Sequence, residues 1–376
     1  MINFLKNILQ PASMLSGIII GAGVFSLPYV FLSAGLATSF FYLGFFGLIY
    51  IFLYFIYADI IVRTAGEHRF VGYADIYLGK AGLSISLLIG LLQLFFVMTI
   101  YLILAPSFSK LFIGGDAVYH LFAFWLAGSA LIFLDSRKLA FSEFLIVIGI
   151  ALIMALIFFL GLPAFIFSGI SFGSLDLSKF LSVGPILFAL SGSLAVPEIF
   201  GYFRDAKIPL SYMKNSLALG GFVPILAYGG FVMGIIGLSG VVSEDSVSGL
   251  IGNVPDILLW LVGILGIFSL VSSYIIVGTN VRKIIRQDLK MQALAGGSAA
   301  VFLPIALYFA GFQSFLGAVS FVGTLFLPME SILLILIWLQ VNKISKVPPM
   351  FAGRWTRIAV PVILFVFFVS LFYAIL

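Results

Sequence analysis

The sequence predicts an all-α polytopic membrane protein of eleven transmembrane helices with no separate soluble domain. Of its 376 residues, 63% are hydrophobic and only 9% charged, a balance outside the range of soluble domains. Its apolar runs reach or exceed the roughly 20 residues a helix needs to cross hydrocarbon. They also lack the period-two alternation of a transmembrane β-strand. The absence of cysteine excludes disulfides, thiolate metal sites and cysteine nucleophiles.

The spans fall at 11–35, 38–62, 82–112, 118–134, 139–161, 183–203, 215–239, 255–279, 293–311, 313–340 and 357–376. With a cytoplasmic N-terminus, the inside loops collect every Lys and Arg except Lys110 and Lys179. One helix more or fewer would carry the later basic loops to the wrong side, so this bias supports both orientation and count. The expectation is a multi-pass protein of the plasma (inner) membrane with its C-terminus outside. The net charge of +5 is then a topological signal, and no nucleic-acid partner is expected. The first apolar run follows Lys6 like a signal peptide but is read as retained, because the repeat described below needs it.

The first span carries Gly17, Gly21, Gly23 and Pro28 where a plain anchor would carry Leu or Val. A helix comes undone there, and unwound backbone at membrane depth is tolerated only where it is buried in protein or lines a cavity. Gly17 and Gly21 also fit a small-residue packing face, which leaves Pro28 unexplained. In the second span, Asp59 and Arg63 stand four apart and predict a local ion pair. Residues 64–82 read as a solvated connector with His68 at the surface, or alternatively as a short interfacial helix over 73–78. In the fourth span His120 reads as interfacial, and in the fifth Glu143 reads as structural.

The sixth span repeats the anomaly of the first. Gly23 precedes Pro28 by five residues and Gly192 precedes Pro197 by five, with Phe31 and Phe200 three residues beyond each proline. These spans cross in opposite directions, so the chain reads as an inverted repeat within one transporter domain: 11–161, then 183–340, then an extra helix at 357–376.

The string Ile20-Gly21-Ala22-Gly23-Val24-Phe25-Ser26-Leu27-Pro28 resembles the first-helix signature of permeases in the amino acid-polyamine-organocation superfamily. The run from Leu187 to Ser193, with Val196-Pro197-Glu198, resembles the sixth helix of the amino acid/auxin permease branch and is similar to bacterial tryptophan/tyrosine permeases. The resemblance implies a leucine-transporter-type 5+5 fold and a small-molecule amino acid as substrate. A zwitterion suits two breaks with opposite dipoles. The amides of Gly21, Ala22 and Gly23 are placed for its carboxylate, and the carbonyls freed from Ala189 and Leu190 to Ser193 for its ammonium. Phe25, Phe188, Ser191, Ser193, Gln93, Phe96 and Tyr101 are candidates for the rest of the pocket, with Ser191 and Ser193 preferred.

No cofactor is expected beyond a coupling ion, either sodium or a proton. Sodium-coupled members of this fold complete an oxygen site from the first and eighth helices. The resemblance thus implies Ser272 and Ser273 with the carbonyls of Gly17 and Ile20. Some proton-coupled relatives carry a lysine in the fifth helix, and this chain has none between Leu139 and Gly161. A proton needs a titratable group in the membrane, and Glu330, about ten residues from the inner end of the tenth span, is one by default. Glu198 is shallower, placed either to gate the sixth helix or to pair with an inner-face Arg or Lys. No metal cluster, membrane aspartate pair or phosphate loop supports an enzyme. The expected function is amino acid symport by alternating access. A non-transporting sensor or a passive channel on the same scaffold is the alternative.

Overall fold

The computed structural model describes residues 4–133, 140–350 and 354–375. Arg137, Lys138 and the side chains of Glu143, Arg354 and Arg357 lie outside the described residues.

Among the described residues the regular structure is all helical, with no strand. Seven helices are long and apolar enough to cross a membrane, an eighth span is a bent pair, and three shorter apolar helices complete eleven. We number them in chain order: α1a (Leu5–Ile19) and α1b (Ala22–Ala34), α2 (Leu36–Val62), α3 (Phe70–Ser109), α4 (Ala117–Leu131), α5 (Ala140–Phe167), α6a (Val183–Leu190) and α6b (Ala195–Asp205). The remainder are α7 (Met213–Leu238), α8 (Asp256–Lys283), α9 (Ala293–Phe309), α10 (Phe315–Ile344) and α11 (Arg354–Ile375).

Both predicted breaks are present. The halves of the first span meet at 49° around Ile20 and Gly21, whose backbones leave the helical region. Pro28 sits in the first turn of the α-helical part of α1b, where an absent N–H costs no intrahelical bond. The sixth span stops at Leu190, runs extended through Ser191, and resumes at Ala195 with Pro197 in its first turn.

The two breaks interlock. A Cβ added to Gly23 would stand 2.5 Å from Ala189 Cα, and one added to Gly192 would stand 2.5 Å from Ile19 Cγ1. Only glycine at these positions lets the interrupted helices approach so closely.

Freed carbonyls in hydrocarbon need donors, and two buried tyrosines supply them. The Tyr228 hydroxyl of α7 lies 2.6 Å from Ile19 O and 2.9 Å from Ala189 O, sharing its hydrogen between the two breaks. The Tyr54 hydroxyl of α2 donates to Leu190 O at 2.5 Å. Pro224, inside α7, deprives the Gly220 carbonyl of its helical donor, and Ser16 Oγ of α1a replaces it at 2.9 Å.

The Asp59–Arg63 pair forms at 3.0 Å and is almost completely buried. Asp59 also accepts from Trp338 Nε1 at 2.7 Å and from the Met350 amide at 2.7 Å. Arg63 donates to Asn342 Oδ1 and to the Val347 carbonyl. What reads locally as an i,i+4 pair therefore ties the end of α2 to α10 and the segment beyond it.

The connector expected over 64–82 is shorter than predicted, because α3 begins at Phe70 and bends at Gly79, which adopts φ 67°. Val71, Tyr73 and Ala74 bury one face of this first turn region, with His68 packed edge-on against Tyr73. Gly79 is non-helical and separates a short helix from Phe70 to Leu78 from the membrane-crossing part of α3, so the alternative of a short helix over 73–78 is the one present.

Removing the Tyr228 hydroxyl leaves the buried Ala189 carbonyl without its donor and takes one of two donors from Ile19 O, which keeps the Gly21 amide at 2.8 Å. Tyr228→Phe is expected to cost about 1–3 kcal/mol in unfolding measured in detergent, whereas Tyr119→Phe, at an exposed position, should change it by less than about 0.5 kcal/mol. Asp59→Ala strands the Arg63 charge in the interior and should cost about 3–5 kcal/mol.

Candidate substrate site

Between the two breaks lies a cavity of about 60 Å³, room for a few water-sized groups. One wall is the first break (Ile18, Ile19, Gly21, Ala22, Gly23) and the facing wall is Phe188 with Ser191 to Leu194. Helix α3 contributes Gln93, Leu94, Val97 and Tyr101, and α8 contributes Ser273, Ile276 and Val277. No Asp, Glu, Lys, Arg or His lies on this wall, which suits a ligand of zero net charge.

The polar groups of the wall are few. The 3-10 turn of α1b begins at Ala22, so the amides of Ala22 and Gly23 lack intrahelical acceptors and lie at the positive end of a half-helix. On α3, Gln93 Oε1 is buried with no partner among the described residues. Ser191 Oγ donates to Phe188 O at 3.0 Å, and Ser193 Oγ donates to Glu330 Oε1 at 2.7 Å.

Glu330 stands directly behind this wall. Its second oxygen accepts from Gln93 Nε2 at 2.7 Å, so the carboxyl joins α10 to α3 and to the sixth-span break. Among the described residues no cation lies within ion-pair distance of it. A separate void of about 10 Å³, the room of one water, lies between Glu330 and Tyr50, Tyr54 and Tyr57 of α2.

Several sequence candidates sit elsewhere. Ala189 and Leu190 are buried against the first break, and their carbonyls already accept from Tyr228 and Tyr54. Gly23 meets helix backbone on one side in addition to lining the cavity, so its missing Cβ serves helix contact. Phe25 stands outside the cavity, packed edge-on at 4.7 Å to Phe108 and 5.7 Å to Phe231. Phe96 belongs to an aromatic cluster with Phe312, Phe321 and Phe326. An apolar void of about 30 Å³ on the other side of Gly21 is lined by Ile20, Phe25 and Ser269. Of the proposed sodium ligands, Ser273 lies beside Gly21, while Ser272 and Gly17 are on neither cavity wall.

Both ends of the site are covered. At the basic end, Glu198 pairs with Arg69 at 2.8 Å and Lys283 at 2.9 Å, the ion-pair arrangement. Arg204 pairs with Glu67, and the Tyr202 hydroxyl donates to Gln10 Oε1 at 2.9 Å, joining α6b to α1a. At the opposite end, the connection from α7 to α8 folds over α1b, and buried Ser246 donates to Phe25 O at 2.5 Å. Burial pushes the Asp245 carboxyl of this connection up, but hydroxyl donors from Ser243, Ser248 and Ser107 outweigh it and hold the group below the usual carboxylate range.

Sequence reasoning missed Tyr54, Tyr228 and the Gln93–Glu330 bond. The available signal was a tyrosine hydroxyl at mid-membrane depth, which needs a partner there. In α2, Tyr50, Tyr54 and Tyr57 also recur at helical spacing on one face.

No protein-family model and no curated protein sequence matches the chain. Solved structures do match over nearly its whole length. Mhp1, a nucleobase-cation-symport-1 family transporter in a closed conformation with bromovinylhydantoin bound, is 12% identical with a TM-score of 0.64, covering 97% of this chain and 91% of that one. MhsT in complex with L-phenylalanine is 13% identical with a TM-score of 0.60, covering 97% of each. A manganese transporter of Eremococcus coleocola is 14% identical with a TM-score of 0.64, covering 97% and 86%. At these identities the likeness establishes the fold, and the chain is a multi-pass membrane protein with the leucine-transporter-type fold.

Proposed function

We propose that the chain is a secondary transporter that imports a neutral α-amino acid by alternating access, coupled to protons, with its N-terminus and basic end in the cytoplasm. One observation carries this reading. A cavity without charged side chains lies between two interrupted helices, with free amides at the first break and an unpartnered amide oxygen on Gln93, one of its lining residues. The amides of Ala22 and Gly23 suit a carboxylate. Gln93 Oε1 suits an ammonium, a role the sequence gives to carbonyls that Tyr54 and Tyr228 already engage. The remaining wall is aliphatic and aromatic and fits an apolar substrate side chain. MhsT, of the same fold, was solved with L-phenylalanine.

Glu330 is the proposed proton carrier. It is buried, touches both the cavity-lining Gln93 and the cavity-lining Ser193, and has neutral donors for partners. Glu198 is proposed as part of the basic-end closure, since Arg69 and Lys283 neutralise it. Sodium remains a second reading because Ser273 stands beside Gly21, with Ser272 one residue away.

Uptake of labelled neutral amino acids into proteoliposomes tests this directly. The expected result is accumulation driven by an inward proton gradient and indifferent to sodium. Uptake that only equilibrates supports a channel, and no uptake with binding supports a sensor. Glu330→Gln should abolish gradient-driven accumulation while sparing substrate exchange. The double variant Ser272→Ala with Ser273→Ala should retain proton-driven uptake. Sodium-driven uptake lost in that variant would instead favour the sodium site.

A further inference from the structure

The hydrogen bonds around Glu330 dictate where a proton on it must sit and what that does to the cavity. Glu330 Oε2 accepts from Gln93 Nε2, a group that only donates, so Oε2 remains an acceptor while that bond stands. Glu330 Oε1 faces Ser193 Oγ, a hydroxyl that both donates and accepts. An added proton is better placed on Oε1, because a carboxylic hydroxyl oxygen is a weaker acceptor than the carbonyl oxygen and Gln93 Nε2 can only donate; the Ser193 hydroxyl then accepts from it. Its own hydrogen, released from Glu330, has the cavity before it, because Ser193 lines that wall.

Few other groups face Glu330. From α2, Tyr50, Tyr54 and Tyr57 face it across a water-sized void that Ser193 also lines. The Tyr54 hydroxyl is committed to Leu190 O, while the Tyr50 hydroxyl is buried without a partner among the described residues and is the one other hydroxyl at this void. On α10 itself Ser331 is bonded to Leu327 O. From α11, residues 359–373 carry no Asp, Glu, Lys, Arg or His. No charged partner lies within ion-pair distance among the described residues.

We propose that Ser193 is the coupling residue: protonation of Glu330 at Oε1 turns the Ser193 hydroxyl from Glu330 into the cavity, where it donates to the substrate carboxylate. This deepens the proton-symport reading above and rests on it. One O–H bond forms on Glu330, the Ser193 O–H rotates, and no other covalent bond changes. Gln93 holds its orientation throughout, donating from Nε2 to Glu330 Oε2. Proton and substrate then favour each other's binding, which is the requirement for symport. The same geometry explains why the carboxyl stands behind the wall, where its charge does not meet the substrate carboxylate.

Two measurements on the whole protein test this. The first needs no substrate. In infrared spectra at acid pH, the carboxylic C=O stretch that disappears in Glu330→Gln is assigned to Glu330. With the proton on Oε1, that C=O is Oε2, so Gln93→Leu should raise its frequency, and Ser193→Ala should move it less. The reverse pattern overturns the proposal, as it would place the proton on Oε2 with a turned Gln93 amide. The second is equilibrium binding of labelled L-leucine at acid and alkaline pH. Wild-type affinity should tighten about ten-fold or more on acidification, the worth of one hydrogen bond to a charged group. Glu330→Gln should bind tightly at both, Ser193→Ala weakly at both, and Ser193→Thr like wild type. A pH-dependent tightening retained by Ser193→Ala overturns the proposal. Failure of the wild type to bind L-leucine, L-alanine and L-phenylalanine overturns the amino acid reading, and the infrared pattern still decides the position of the proton.

Discussion

Every feature of this site depends on one constraint, that backbone groups released in the middle of a membrane must find partners inside the protein. Two helices are interrupted at the same depth, and the released carbonyls of Ile19, Ala189 and Leu190 are met by two tyrosine hydroxyls. Tyr228 spans both interruptions, so the first and sixth spans are held as one unit. With those carbonyls engaged, the amides of Ala22 and Gly23 and the side chains of Gln93, Tyr101, Ser191, Ser193 and Ser273 are the polar groups of the cavity wall. Satisfying the backbone thus decides which polar atoms remain for a ligand.

The position of Glu330 follows from a second set of contacts at the basic end. Asp59 and Arg63 bind Trp338, Asn342 and the backbone of the segment after α10, which fixes that helix against α2. Glu330 lies two turns further into the same helix, and its two oxygens reach different elements, Gln93 on α3 and Ser193 at the break. A movement of the broken helices relative to α3 would change both hydrogen bonds together. The exposed pairs of Arg204 and the half-buried pairs of Glu198 at the basic end are the contacts such a movement would break, and pairs of this kind hold only weakly.

Much of this was legible in the sequence because membranes make local composition informative. The spans follow from hydropathy, and the breaks from glycine and proline at matched spacing around Gly23–Pro28 and Gly192–Pro197. Glu330 was visible as a carboxyl at membrane depth, and Asp59 with Arg63 as an i,i+4 pair. What was hidden lies in contacts between residues far apart in the chain. Nothing near Gln93 signals a bond to Glu330, 237 positions away, and nothing near Tyr228 signals Ile19. The misplaced aromatic Phe25 illustrates the same limit: with 42 phenylalanines, composition does not separate a ring that faces the cavity from one that packs against Phe108. Propensity likewise locates a freed carbonyl such as Ala189 O or Leu190 O but not the tyrosine that reaches it.

The central claim, that the space between the two breaks is a substrate site reached from each side of the membrane in turn, can be measured on this chain with little alteration, since it contains no cysteine. A single Ile276→Cys places a thiol on the cavity wall. In oriented vesicles, an impermeant thiol reagent added from either side should label it, and a transported amino acid should protect it in a concentration-dependent way. Labelling from one side only, or labelling that no amino acid slows, would contradict a substrate site of alternating access between the broken helices.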